Sequence, residues 1–149
     1  MNSVLFTEMV STFTEEMHEY LDSFARGVRA LDADPADASA LELAREAAWS
    51  VKGSAATLAV RAEETDVARR LKAVSTLARV AEVRVAEAIR GSRPLDSTVL
   101  DRMSRIIPMI YAVVDSNLNF GGEEIPQLIE ELHASTNPRE TLSDRHGLT

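Results

Sequence analysis

The feature that most constrains this chain is one long apolar stripe. Across residues 4–30, Phe6, Met9, Phe13, Met17, Tyr20, Leu21, Phe24 and Val28, followed by Leu31, recur at spacings of three and four. An α-helix turns once in about 3.6 residues, so that spacing gathers them on one side, whereas the two-residue alternation of a strand would scatter them. A helix of that length cannot leave its apolar side in water and must cover it with other elements. The pattern returns over residues 62–89 with Val67, Leu71, Val74, Ala78, Ala81, Val85 and Ala88. It returns again with Leu100, Met103, Ile106 or Ile107, Ile110, Val113 or Val114, and Leu118. The prediction is an all-α fold, an up-down antiparallel bundle of about five helices joined by short turns.

The breaks fall between these stripes. Asp32-Ala33-Asp34-Pro35-Ala36-Asp37 is a polar turn holding a proline. A second helix then runs to Leu58 or Ala59, with Asp37 and the Ser39-x-x-Glu42 capping box as its two candidate caps. Ser11-Thr12 is the one place where the first stretch offers a break into a short and a longer helix. Gly91-Ser92-Arg93-Pro94 ends the third helix, and Asp96 is a cap for the fourth, which Pro108 should kink. Gly121-Gly122 precedes a short fifth helix over residues 123–134, with Pro126 in its first turn. The bundle thus occupies residues 1–135, and the polar, aperiodic residues 136–149 are expected to be a disordered tail or a linker.

Composition removes several classes of function. The net charge of −8, with the cations scattered, argues against a nucleic-acid surface, which needs a basic patch. The absence of cysteine excludes disulfides and thiolate metal sites and fits a reducing, cytoplasmic compartment. No cationic segment with an apolar run opens the chain, so no signal peptide is expected. The longest near-apolar run, residues 106–114, contains Pro108 and is far too short to span a bilayer. There is no glycine-rich phosphate loop, nucleophile elbow or zinc spacing, so the expectation is a non-enzyme without a cofactor.

One stretch of the second helix carries the functional signal: Ala47-Ala48-Trp49-Ser50-Val51-Lys52-Gly53-Ser54-Ala55-Ala56-Thr57-Leu58. Its Lys52, Gly53, Ser54 and Ala55 resemble the phosphoacceptor helix of histidine-phosphotransfer (HPt) domains, such as the first domain of chemotaxis-type histidine kinases. The helix layout over residues 4–134 and the acidic Asp-Pro turn before the motif are similar to that family as well. The family's acceptor histidine is missing, because Trp49 stands three residues before the lysine. An imidazole nitrogen offers an in-plane lone pair, whereas the indole N–H only donates, so Trp49 cannot take up a phosphoryl group. In the family an acidic or amide side chain on the next helix supports the histidine; Glu63, Glu64 and Asp66 are the candidates here.

A helical wheel places Leu41, Ala44, Ala48, Val51, Ala55 and Leu58 on the core side. Arg45, Trp49, Lys52, Gly53 and Ala56 form a second stripe that mostly flanks or opposes it. A bulky aromatic, cations and a mid-helix glycine that costs about 1 kcal/mol against alanine make an unusual solvent face. The resemblance implies a pseudo-phosphotransfer domain, a docking module in two-component or chemotaxis-like signalling. Its partner would be a response-regulator receiver domain or a histidine kinase, held on Arg45, Trp49, Lys52, Gly53 and Ala56. The alternative is a structural or dimerising bundle in which Trp49 packs on a neighbouring helix or on a second copy. A third possibility is a di-iron bundle, since Glu15-x-x-His18 and Glu130-x-x-His133 have the spacing such sites use. At about 100° per residue, however, Glu15 and His18 lie roughly 140° from the centre of their apolar stripe, and the second pair lies comparably far out. Both pairs are therefore expected to face solvent. His146 falls in the expected tail.

Overall fold

A computed structural model describes residues 3–136, so the expected tail lies outside the described residues. Five α-helices are present among them: α1 (Ser3–Ala33), α2 (Ala38–Arg61), α3 (Thr65–Ile89), α4 (Ser97–Asp115) and α5 (Ile125–Thr136). No described residue is in a strand. The all-α bundle expected from the stripes is the fold observed.

The first helix is unbroken through Ser11-Thr12, because Val10 and Phe13 on either side of that pair are both buried in the core. The Thr14 hydroxyl meanwhile donates to the Val10 carbonyl at 2.9 Å inside the helix. Of the two candidate caps for α2, Asp37 does the work: its carboxylate accepts the Ala40 N–H at 3.1 Å. The helix then outruns its expected end by two residues, and α3 starts only at Thr65, which leaves residues 62–64 as the turn. Asp96 caps α4 through the Val99 N–H at 2.9 Å. That helix continues through Pro108, whose ring is exposed. Gly121 and Gly122 both take φ +87°, the left-handed region open to glycine, and turn the chain into α5.

Helices consecutive in the chain run antiparallel, as do α1 and α4. On α1 and α4, His18 meets Asp115 while Asp22 meets Tyr111. On α1 and α2 the close approach lies at Gly27, where a Cβ would stand 3.2 Å from the Ala40 carbonyl and the Ala44 backbone nitrogen. The helix α2 sits between α1 and α3, and α4 lies on α1. Because α3 and α4 touch little, α5 covers both and closes the bundle on that side. Met17, Leu21, Leu71, Leu77, Met103, Ile110 and Leu128 are fully enclosed in the core. Each such side chain contributes on the order of 1.5–3 kcal/mol through burial.

One buried charge interrupts this core. Arg84 on α3 is 1% exposed. Its guanidinium donates to the carbonyls of Arg93 at 2.9 Å and Pro94 at 2.8 Å, tying the α3–α4 connection to the helix it leaves. Burial, followed by the neighbouring Arg93 charge, draws Arg84 below the ordinary arginine range.

Candidate functional site

The helical wheel of α2 is realised residue by residue. Leu41, Ala44, Ala48, Val51, Ala55 and Leu58 are all buried, mainly against α1 and α3. Trp49, Gly53 and Ala56 are exposed, while Arg45 and Lys52 are half-buried at the edge of the stripe. Trp49 is 58% exposed, so it is not packed on a neighbouring helix of its own chain. A Cβ placed on Gly53 would meet nothing within 4 Å. The glycine therefore makes no room for any other described residue.

The two cations of the stripe are both engaged. Arg45 binds Glu42 one turn earlier, its Nε donating at 2.8 Å. That bond, more than any other influence, holds the Arg45 guanidinium above its ordinary pKa, with the charges of Glu42, Glu46 and Glu82 adding to it. Lys52 reaches across to α3, where its Nζ lies 3.1 Å from a carboxylate oxygen of Glu82. The Ser75 hydroxyl of α3 donates to the Lys52 carbonyl at 3.0 Å. On the next helix, the acidic side chain that pairs with the motif's lysine is thus Glu82.

Glu63, Glu64 and Asp66, the candidates expected to support the position that Trp49 holds, stand elsewhere. With residues 62–64 forming the turn, the antiparallel register sets Ser75 opposite Lys52 and leaves all three at the exposed end of the bundle. Asp66 there pairs with Arg69 at 3.0 Å.

Beside Trp49 the α1–α2 seam opens into a shallow groove of about 640 Å³. Leu5, Met9, Phe13 and Tyr20 of α1 line one wall, and Trp49, Gly53 and Leu58 of α2 line the other. The first helix had no place in the sequence-level site, because nothing local marks which of its outward residues α2 will stand beside. The exposure of Leu5, outside the apolar stripe, was the available hint.

The residues of the metal alternative are dispersed on the surface. Glu15, His18, Glu130 and His133 are all exposed, and no three His, Asp or Glu side chains among the described residues come together as metal ligands. His146 lies outside the described residues. His18 instead belongs to a polar clasp between α1 and α4. Its Nε2 lies 2.9 Å from Asp115 Oδ1, and its ring meets the edge of Tyr111 with centroids 4.8 Å apart. The Tyr111 hydroxyl donates to Asp22 at 2.9 Å. Burial first, then that bond, pushes the Tyr111 phenol up to about 12.

No family model, no curated protein and no solved structure matches this chain. The resemblance to phosphotransfer domains therefore rests on its own residues, Lys52, Gly53, Ser54 and Ala55, and on the helix layout around them. No helix among the described residues is long and apolar enough to cross a membrane.

Proposed function

We propose that this chain is a pseudo-phosphotransfer module. It docks a response-regulator receiver domain, or the kinase that serves one, on the α2 face around Trp49 without exchanging a phosphoryl group. The observation that carries this reading is the pairing of an exposed Trp49 with a mid-helix Gly53 that faces empty space. A helix-weakening residue without an internal purpose suits an external one, the close approach of another backbone. Tryptophan is also among the residues most enriched at binding hot spots. Such a module holds or competes for a receiver in the cytoplasm and needs no cofactor.

Trp49 is the only tryptophan, so the chain reports on its own face. Receiver domains from the same organism are titrated with and without beryllofluoride while the indole emission is followed. A saturable change with one receiver, abolished in Gly53→Arg, is the expected result. Gly53→Arg is the suitable variant because its side chain grows into open space, whereas Lys52→Glu would set a carboxylate against Glu82. Silence from every receiver, together with a concentration-dependent rise in mass, would establish the dimerising bundle in its place.

A further inference from the structure

The groove beside Trp49 has an apolar floor and a rim of one sign. Met9, Phe13 and Tyr20 face Trp49 across it, and among the described residues the only charged side chains lining it are Glu8 and Glu16. Glu46, exposed one turn before Trp49, lies outside the groove's lining, and its charge acts on Arg45. No ion pair among the described residues engages Glu8, Glu16 or Glu46. Of the cations on α2 beside the groove, Arg45 pairs with Glu42 and Lys52 with Glu82.

We infer that this groove receives a cationic amphipathic helix of a partner protein. Its apolar stripe lies on the Met9, Phe13 and Trp49 floor, and its lysines or arginines pair with Glu8 and Glu16. Residues 5–20 of α1 span about 22 Å at 1.5 Å per residue, room for a helix of about four turns. Charge complementarity selects this occupant over others. A second copy that set its own groove on this one would bring carboxylates onto carboxylates. The cationic stripe of a second copy's α3, Arg69, Lys72 and Arg79, carries only Val83 as an exposed large apolar residue and would leave most of the floor uncovered. An anionic lipid surface is repelled by the rim. The inference rests on the docking reading of the Trp49 face and adds the chemistry of the docking element.

The test uses the full chain and three synthetic helical peptides of about four turns, the length that 1.5 Å per residue assigns to the groove. One has leucines on one stripe with lysines flanking them, one has glutamates in place of the lysines, and one scrambles the first. The lysine peptide is expected to shift Trp49 emission saturably toward shorter wavelength, and to bind at least tenfold more weakly when salt is raised to screen the rim. The double variant Glu8→Lys/Glu16→Lys should lose binding, while Glu130→Lys on α5 should keep it.

An equal response to the glutamate or scrambled peptide, or an equal loss in Glu130→Lys, would overturn the inference. So would self-association of the free chain at the titration concentration. Receiver titrations run in parallel keep the two readings apart. A receiver that binds while the lysine peptide is silent removes the cationic helix and leaves the receiver module standing. Peptide binding with every receiver silent does the reverse.

Discussion

At the scale of single residues, Gly53 and Tyr111 separate what serves the fold from what serves a surface. Gly53 sits mid-helix with open space where its Cβ would be, so Gly53→Ala should raise stability by about 0.5–1 kcal/mol. Urea denaturation measures the gain, and the receiver titration should show weaker docking in the same variant. A stabilised protein that docks as well as before would remove the glycine's external purpose. Tyr111 is the opposite case, since it holds α1 to α4. Its phenol ionises at about 12 in the fold, against about 10 in an unfolded chain, so folding favours the neutral form. The clasp's contribution is therefore complete below pH about 10 and is lost as pH rises from there toward about 12. Urea midpoints across that range should fall in the native protein, and the fall should be smaller in Tyr111→Phe. The phase of Trp49 and Gly53, off the core stripe of their helix, was legible in the sequence. Whether Trp49 packs on a neighbouring helix was not, since phase alone does not say what stands beside it. Tyr111, Asp22, His18 and Asp115 were not legible either, because the clasp joins residues about ninety positions apart, and no local pattern states which helices will be neighbours.

Among the elements, the connections rather than the helices carry the surprises. The α3 stripe was legible as Val67, Leu71, Val74, Ala78, Ala81 and Val85, all of which are buried. Arg84 was not, because a cation in a core stripe looks like a surface residue until the chain that follows folds back over it. Its guanidinium satisfies the Arg93 and Pro94 carbonyls, so Arg84→Met leaves two acceptors to find other partners while keeping most of the packing. The expected loss is about 2–4 kcal/mol, read as a lower urea midpoint, since each unsatisfied buried group costs about 1–3 kcal/mol. Faster amide exchange over residues 90–96 should accompany it; a loss spread evenly over the molecule would point to the core instead. The α4–α5 connection is secured in a similar way. Leu118 takes φ +66°, a conformation that costs a branched residue roughly 1–2 kcal/mol. Its side chain is nonetheless buried, and its carbonyl accepts from Arg70 at 3.0 Å. Sequence periodicity locates such turns by their glycines, but it does not reveal which distant arginine will hold them.

For the molecule as a whole, stripe periodicity was enough to give an all-α bundle and its helix order, because one-sided helices have few ways to cover themselves. The share taken by α5 was not readable. It follows from α3 and α4 standing apart, which depends on side-chain volumes across the whole interior. The α1–α2 seam shows what such arrangements do at a distance. Gly27 sets α1 close against the α2 backbone at one end, and the groove opens toward the other. A rigid α1 turning about that contact would act as a lever with Gly27 as the pivot. Met9 lies about 27 Å along α1 from that pivot, so a change of about 5° in crossing angle moves it by about 2 Å. A methyl added at the pivot, in Gly27→Ala, must push on the Ala40 carbonyl and on Ala44. It should therefore change Trp49 emission and its access to quenchers although it touches neither the indole nor its neighbours. An unchanged spectrum in a correctly folded Gly27→Ala would mean that α1 does not turn as a lever. The width of the binding face would then be set locally, and no longer from the far end of the lever.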